Sequence, residues 1–256
     1  MSDRLKGFMQ WIRKGIENDF DYVIIVDGPE GGGKSTFAAH AKAMYDGAYN
    51  LENVCYDSTD LLKIMQTAKK GQCVILDEAV TSFMSRTSLD RFQVRLIQAF
   101  SIVRERNLVF FLLIPNLGLL DKALQTRAVY RIWVYPKGQN RGYSKIYYSQ
   151  RTPWTTGKPW HAEAWHYEFP KLPDDFEKEY KKFKTREMMK KLKEYDDEIK
   201  YEKVRKEKEK RKVKGVKTQL IIDYLKDNPK ATDVEIAKAV GASVPWVKQT
   251  AGVYRE

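Results

Sequence analysis

The amino-acid sequence predicts an α/β fold in which a mainly parallel sheet is covered by helices on both faces. Two observations support this class. Several runs of residues are almost wholly apolar, and they lie at residues 22–27, 72–77, 108–115 and 128–135. Segments in which apolar residues recur at helical spacing separate these runs. Strands that are apolar on both faces and alternate with helices are typical of a parallel sheet buried on both sides.

The predicted elements around these strands follow the same pattern. A helix within residues 1–18 places five apolar residues on one face, which either packs on the protein's own core or binds a partner. These residues are Leu5, Phe8, Met9, Ile12 and Ile16. Further helices are predicted at residues 34–45, 58–69, 89–106 and 119–126. A turn at residues 138–142 and a strand at residues 143–150 predict a hairpin.

The composition suits a globular protein with a polyanionic partner. The chain has 256 residues, 43% of them hydrophobic, and a formal net charge of +12. This charge favours nucleic acid over a membrane surface, although a basic enzyme without such a partner has the same balance. The two cysteines show no metal-binding spacing, and no run approaches the roughly 18 apolar residues of a membrane span. Since the start of the chain lacks a signal-peptide pattern, we expect a cytoplasmic protein.

Changes in composition divide the rest of the chain. Residues 151–173 are rich in Trp, Pro and His, and their aromatic side chains either stack on nucleobases or cover a sheet edge. These aromatic residues are Trp154, Trp160, Trp165 and Tyr167. Residues 174–215 are mostly charged and predict a long helical linker. We therefore expect a helix at 1–18, a core at 19–150, the aromatic segment, the linker, and a small all-α domain at 216–256.

A glycine-rich stretch carries the strongest chemical signal. It matches the pattern G-x-x-x-x-G-K-[ST], directly after a predicted strand and at the start of a predicted helix. Its residues are Gly28, Pro29, Glu30, Gly31, Gly32, Gly33, Lys34, Ser35 and Thr36. In such a loop backbone N–H groups bind phosphate oxygens, Lys34 bridges the β- and γ-phosphates, and the Ser35 hydroxyl binds Mg²⁺. The pattern predicts a P-loop that binds a nucleoside triphosphate.

Two adjacent acidic residues complete the predicted site. Asp77 ends the apolar run at residues 72–77 and supplies a carboxylate on the Mg²⁺ side, while Glu78 is placed to activate a water as general base. A glutamate that activates water favours hydrolysis, so transfer of phosphate to a small acceptor is the weaker alternative. ATP is favoured over GTP because the sequence lacks an Asn-Lys-x-Asp guanine-binding tetrapeptide.

Further candidates flank the predicted strand at residues 108–115. Asn116 follows this strand, where it either contacts the γ-phosphate or the attacking water, or caps the next helix. Four arginines lie near this strand and the next: Arg104, Arg106, Arg127 and Arg131. One of them can reach the γ-phosphate of a neighbouring subunit as an arginine finger, with Arg106 and Arg127 as first candidates. The alternative for each of the four is an ordinary surface arginine without a catalytic role.

The segment at residues 216–256 resembles a helix-turn-helix domain. A helix at residues 219–226 is followed by a second that Thr232 caps and a third that Ser243 caps, with Gly241 in the turn between them. The side chains expected to face inward are Val234, Ile236, Ala237, Val240, Val244 and Val247. On the third helix, the side chains available to a DNA major groove are Trp246, Lys248, Gln249 and Thr250. The alternative is a three-helix module that binds protein.

The motifs GPEGGGKST and VILDEA, with the polar residue at the end of the strand at 108–115, resemble the additional-strand P-loop ATPases. The resemblance implies that this strand lies between the P-loop strand and the strand that ends at Asp77. Ser85-Arg86, residues 104–107 and the segment from Leu120-Asp121 to Arg127 are similar to two groups, the FtsK/HerA-type DNA pumps and the zonular-occludens-toxin-like phage assembly ATPases. Two departures are Pro115-Asn116, where many members have Gln, and the lack of the membrane segment of the toxin-like group.

Together the residues and the resemblance, which covers about residues 20–140, predict a DNA-acting motor or remodelling ATPase. It would serve translocation, packaging or replication, in the setting of a virus or mobile element, with ATP and Mg²⁺ as cofactors and double-stranded DNA as partner. The resemblance also implies a homo-oligomeric ring, often a hexamer, because the finger arginine comes from the neighbour. The alternative is a nucleotide-switched DNA-binding regulator or helicase loader with slow hydrolysis, and a small-molecule kinase comes third.

Overall fold

The computed structural model describes residues 3–79, 91–138, 140–149 and 160–255. The chain divides into two compact units, Met1–Thr185 and Arg186–Glu256. Ser85-Arg86, the first residues of the helix predicted at 89–106, and Trp154 lie outside the described residues.

Within the described residues, the first unit is built on a seven-stranded sheet. The strands are β1 Tyr22–Asp27, β2 Val54–Cys55, β3 Cys73–Leu76, β4 Val109–Ile114, β5 Tyr130–Lys137, β6 Asn140–Ser149 and β7 Trp160–Glu168. Their order across the sheet is β2-β3-β4-β1-β5-β6-β7. The first five strands in this order are parallel, whereas β6 and β7 are added in antiparallel fashion. The predicted α/β class with a mainly parallel sheet is confirmed.

Burial on both faces explains the continuous apolar runs. Every residue of β1 and β4 is buried, because these strands lie in the middle of the sheet. Successive side chains of β1 point to opposite faces. Ile24 and Val26 join one hydrophobic cluster, and Val23 and Ile25 join the other. Each face of the sheet therefore has its own core.

Helices provide the other side of each cluster. The helices that begin in the first unit are α1 Asp3–Glu17, α2 Lys34–Asp46, α3 Ser58–Thr67, α4 Arg91–Ile102, α5 Lys122–Arg127 and α6 Asp174–Asp227. Two single 3₁₀ turns, Val103–Arg106 and Leu117–Leu119, precede and follow β4. Residues of α1 and α2 pack in the cluster of Ile24, and residues of α3, α4 and α5 in the cluster of Val23. All five apolar residues predicted for one face of α1 are buried, so this helix packs on its own core.

The first unit extends further along the chain than the predicted core end at residue 150. β5 and β6 form the predicted hairpin, with Pro136 at a shift of register where the strand tolerates a residue without an N–H. β7 then pairs with β6, so the aromatic segment supplies the edge strand of the sheet. After β7 the chain returns to the core and buries four more side chains in the cluster of Ile24. These are Phe169, Leu172, Phe176 and Tyr180.

The second unit has a small core of its own. It combines the end of α6 with two further helices, α7 Asp233–Val240 and α8 Val244–Arg255. The fully enclosed residues of this core are Ile221, Leu225, Ile236, Ala237, Val247 and Ala251. The Thr232 side chain caps α7 in a capping box with Glu235, and Gly241 ends the helix with a positive φ of 63°. Both caps lie where the sequence predicts them.

Two of the side chains expected inside this core are exposed instead. Val234 is 63% exposed and Val244 is 40% exposed. Val234 lies two residues before Ile236, about 200° around the helix, so it cannot share the inward face. Val244 is the first residue of α8 and extends beyond the core. Among the helices that the structure describes in either unit, none combines the length and apolar character that crossing a bilayer requires.

Candidate active site

The glycine-rich loop joins the carboxyl end of β1 to the start of α2. Gly28 has a φ of 148°, and a Cβ added there would lie 1.9 Å from the Val134 carbonyl oxygen on β5. Gly31 and Gly33 are also left-handed, with φ of 69° and 101°. Gly33 forms the N-cap of α2 without a side-chain hydrogen bond. The glycines therefore fit a backbone that other residues would strain, and the helix start faces the loop as anion-binding sites do.

Lys34 lies across this loop. Its Nζ donates to the carbonyl oxygens of Gly28 at 2.8 Å and of Pro29 at 3.0 Å. Burial lowers the pKa of Lys34, while the charges of Glu78 and Asp77 act against the shift. The ammonium is thus bound to the carbonyls of the loop, and the two acidic residues of the predicted site favour its charged form.

Ser35 and Asp77 are brought into contact, although they lie far apart in sequence. The Ser35 hydroxyl donates to Oδ2 of Asp77 at 2.9 Å, and the aspartate is only 3% exposed. The contact arises because β1 and β3 are parallel and both end at this edge of the sheet. A hydroxyl and a carboxylate are oxygen ligands of the kind that Mg²⁺ prefers. The pair predicted to bind Mg²⁺ therefore has suitable chemistry and position.

Glu78 follows in an unusual backbone conformation. Its φ is 69°, in the left-handed region that non-glycine residues rarely adopt. The residues on either side are fixed, because Asp77 N–H donates to the Cys55 carbonyl and Ala79 N–H donates to the Leu113 carbonyl, both at 2.9 Å. The Glu78 side chain is exposed at the sheet edge, next to the buried Asp77. Strain of this kind is concentrated at functional sites, and it turns the carboxylate away from the core.

Two residues from the start of α6 enter this site and were missed by the sequence analysis. The Tyr180 hydroxyl donates to Oδ2 of Asp77 at 3.2 Å. Lys184 Nζ lies 3.1 Å from the same oxygen and 3.1 Å from Oγ of Ser35. Burial, followed by the charge of Asp77, raises the pKa of Tyr180 far above its ordinary value, so the phenol remains a donor. The available signal was the aromatic spacing of Phe176, Tyr180 and Phe183 in an otherwise charged segment.

The chain between β7 and α6 is fixed to the P-loop helix. His40 of α2 is 1% exposed and donates from Nε2 to the Pro170 carbonyl at 2.9 Å. Its Nδ1 accepts from the Tyr49 hydroxyl at 2.7 Å, an assignment that follows from the carbonyl on the other side. Burial lowers the pKa of His40, which keeps the ring neutral. Phe169 packs edge-on against Phe37 of α2 at 5.5 Å between ring centroids.

A cavity of about 670 Å³ opens beside the loop. Its lining includes Gly33 and Thr36 from the loop and Arg141 and Tyr143 from β6. A volume of this size is in the range of small-molecule and cofactor sites. The cavity therefore offers room for a nucleoside attached to phosphates in the loop.

The remaining predicted catalytic residues make contacts of their own. Asn116 follows β4 at the same sheet edge as the P-loop and caps the 3₁₀ turn there, since its Oδ1 accepts from the Gly118 N–H at 2.8 Å. Arg106 donates to the Gln66 and Ala68 carbonyls, and Arg127 pairs with Asp21 at 2.6 Å. Both arginines precede parallel strands, so they lie at the sheet edge opposite the P-loop.

The other two arginines are also engaged within the chain. Arg104 lies 3.5 Å from a carboxylate oxygen of Asp21, and Arg131 makes two hydrogen bonds to the buried Asp27, at 2.9 and 2.7 Å. Asp27 directly precedes Gly28, so this pair places Arg131 next to the P-loop, whereas Arg104, Arg106 and Arg127 lie at the opposite sheet edge. A role for any of the four in a neighbouring subunit's site stays a prediction.

The predicted DNA-contacting residues lie on α8 in the second unit. Lys248 and Gln249 are exposed, while Trp246 and Thr250 are half-buried. Their exposure leaves a polar face available on this helix, and their role stays a prediction.

The strand order, the glycine-rich loop and the buried aspartate at the end of β3 define the P-loop NTPase fold. No family model matches the chain, and no curated protein matches it. Among solved structures, the chain is similar to the genome-packaging NTPase B204 of Sulfolobus turreted icosahedral virus 2, crystallised with ATP-gammaS. The identity is 13% and the TM-score 0.40, over 59% of this chain and 98% of that one.

A second similar structure is the N-terminal domain of zonular occludens toxin from Neisseria meningitidis. The identity is 14% and the TM-score 0.38, over 61% of this chain and 97% of that domain. TM-scores below 0.5 describe distant likenesses, so the class rests on the chain's own topology and P-loop.

Proposed function

We propose that the protein is a Mg²⁺-dependent ATPase that acts on DNA. The observation that carries the proposal is the contact between Ser35 and the buried Asp77 beside the P-loop, with Glu78 following directly. In this scheme the loop and Lys34 bind the triphosphate, and Ser35 and Asp77 hold Mg²⁺, which neutralises phosphate charge. Glu78 accepts the proton of the attacking water. ATP is preferred over GTP because the sequence lacks the Asn-Lys-x-Asp tetrapeptide that binds guanine.

A substitution at Glu78 tests the hydrolytic part. Glu78→Gln should bind Mg·ATP as well as the wild type but lose about 10²–10⁴-fold in turnover, because an amide cannot accept the proton. Binding is measured by calorimetry and turnover by phosphate release without any acceptor. Glu17→Gln, an exposed acid in α1, is the matched control. Undiminished turnover in Glu78→Gln would assign the base elsewhere, and phosphate transfer only to an added acceptor would favour a kinase.

DNA as partner is supported by the charge of the second unit. Residues 200–217 of α6 carry ten lysines and arginines against three acids. The end of α6 and the two short helices that follow have the order and caps of a helix-turn-helix domain, with Lys248 and Gln249 exposed on the last. A basic segment binds phosphates and such a helix reads base edges. We propose that the two features act together on duplex DNA.

Assembly into a ring, as a hexamer or a similar oligomer, belongs to the same proposal. The strand order, with β4 between β1 and β3, supports kinship with the additional-strand ATPases, including the FtsK/HerA and zonular-occludens-toxin-like groups. Mixing Glu78→Gln subunits with Arg127→Ala or Arg106→Ala subunits should restore hydrolysis that each variant lacks. A finger contributes about 10³–10⁵ in rate, so even a minority of repaired interfaces should be measurable. No restoration in any mixture would contradict a finger at either position.

One observation favours the alternative, a nucleotide-switched DNA-binding regulator or loader. All four candidate arginines already have partners within their own chain. A protein without a finger would hydrolyse slowly and need no ring. Monomeric mass with ATP and DNA present, and no movement along duplex DNA, would support this alternative over a motor.

A further inference from the structure

Lys184 holds both side chains that the proposed function assigns to Mg²⁺. Its Nζ is 3.1 Å from Oδ2 of Asp77 and 3.1 Å from Oγ of Ser35. The aspartate side chain is 4% exposed, whereas the lysine side chain is 37% exposed. The ammonium also lies 5.8 Å from the centre of the Tyr56 ring, which forms one wall of the contact. A positive charge from α6 thus lies within hydrogen-bonding distance of both oxygens, which are themselves 2.9 Å apart.

A metal ion and this ammonium cannot share the same oxygens. Mg²⁺ binds oxygen ligands at about 2.0–2.1 Å in near-octahedral geometry, and water molecules occupy the positions that the protein and the phosphates leave open. An ammonium within hydrogen-bonding distance of both ligands would block that geometry and repel the ion. Either cation must leave before the other binds Ser35 and Asp77.

The surroundings of Lys184 allow it to leave while the helix stays in place. Tyr180 and Phe176, one and two turns earlier, are buried in the core and fix the start of α6. Lys184 comes at the exposed end of this buried stretch, on a flexible four-carbon stem. A bound triphosphate would give the released ammonium new anionic partners in the same site. Lys184 can therefore leave Ser35 and Asp77 by a movement of its side chain alone.

We propose, on the basis of the proposed Mg·ATP site, that Lys184 is a tethered cation that competes with Mg²⁺ for Ser35 and Asp77. Metal entry then requires the displacement of Lys184, and this lysine sets the Mg²⁺ concentration at which the site loads. Lys34 has a different role, because its Nζ contacts the Gly28 and Pro29 carbonyls and not Ser35 or Asp77.

The test is a Mg²⁺ titration of nucleotide binding with the full chain. The affinity for ATPγS is measured by calorimetry at increasing Mg²⁺ for the wild type, Lys184→Met and Lys184→Gln. Both variants remove the charge, and they should reach half-maximal affinity at a Mg²⁺ concentration lower by roughly tenfold or more, as expected for the loss of a hydrogen bond to a charged group. Lys182→Met, an exposed lysine on the same helix, is the control and should behave like the wild type.

The outcomes separate this inference from the function on which it rests. An unchanged or higher Mg²⁺ midpoint in both Lys184 variants overturns the competition. A wild-type protein that binds no ATPγS at any Mg²⁺ concentration overturns the proposed function itself. Thermal melting of each variant shows that the fold is retained, and the half-exposed position of Lys184 makes retention the expected result.

Discussion

Glu78 combines a strained backbone conformation with the proposed role of general base. Asp77 before it is buried and donates its N–H to the Cys55 carbonyl, and Ala79 after it donates its N–H to the Leu113 carbonyl of β4. The left-handed φ of 69° is the consequence. A glycine would adopt this conformation without strain. A glutamate is strained there, but it places a carboxylate next to the P-loop edge of the sheet.

The strain at Glu78 predicts an unusual order of stabilities. Glu78→Gly should be more stable than Glu78→Ala by about 1 kcal/mol, because only alanine has a Cβ that disfavours the left-handed conformation. Thermal or urea unfolding of the first unit measures the difference. Neither variant should hydrolyse ATP, since both lack the proposed base. Equal stabilities, or a more stable alanine variant, would show that the backbone at this position is not strained.

Among the elements, the start of α6 belongs to the core of the first unit. Its aromatic residues Phe176 and Tyr180 pack in the same cluster as α1 and α2, and the Tyr180 hydroxyl donates to Asp77 of the candidate site. The rest of α6 within the described side chains is mostly exposed. One continuous helix therefore changes from a core element to a solvated one near Thr185.

This change predicts where the chain can be shortened. A chain that ends at Thr185 should unfold at the same temperature as the first unit of the full protein and keep nucleotide binding. A chain that ends at residue 172 loses two buried aromatic side chains, at about 1.5–3 kcal/mol each, and should be less stable by roughly 3–6 kcal/mol. Urea unfolding of the two shortened chains measures the difference. Equal stability would place the end of the core at the earlier boundary.

In the whole molecule, the excess positive charge and the short helices of the second unit lie in different parts of the sequence. Residues 218–256, which include the short helices, hold five lysines and arginines and five acids. The excess of positive charge lies before them, in residues 200–217. If both parts bind DNA, the basic segment should supply phosphate contacts and the short helices should supply base contacts.

Two variants of the full chain separate these contributions. Deletion from Lys217 onward should leave basal hydrolysis intact and reduce the preference for particular sequences, with little change in salt dependence. Replacement of Lys203, Arg205, Lys206 and Lys208 by Gln should lower the slope of log affinity against log salt by up to about 0.9 for each lost phosphate contact. DNA titrations at several salt concentrations measure both effects. An unchanged slope in the second variant would move the phosphate contacts elsewhere.

The features whose signals are local follow from the amino-acid sequence alone. The P-loop is one contiguous motif, and β1, β3, β4 and β5 are short apolar runs of the kind that indicates strands. The caps Thr232 and Gly241 are local for the same reason, because a cap acts on its own helix. Such features need no knowledge of distant residues.

Which distant residues share the site depends on how the elements pack in the folded protein. Tyr180 lies 103 positions after Asp77, and Lys184 lies 149 positions after Ser35, in a segment whose composition indicates a solvated helix. Their approach depends on β7 pairing with β6 and on Phe169 and Pro170 packing against α2. The left-handed backbone at Glu78 likewise follows from hydrogen bonds on both sides of it. Contacts of this kind arise from packing between elements. The spacing of Phe176, Tyr180 and Phe183 indicates a buried helix face, but it does not indicate which residues that face contacts.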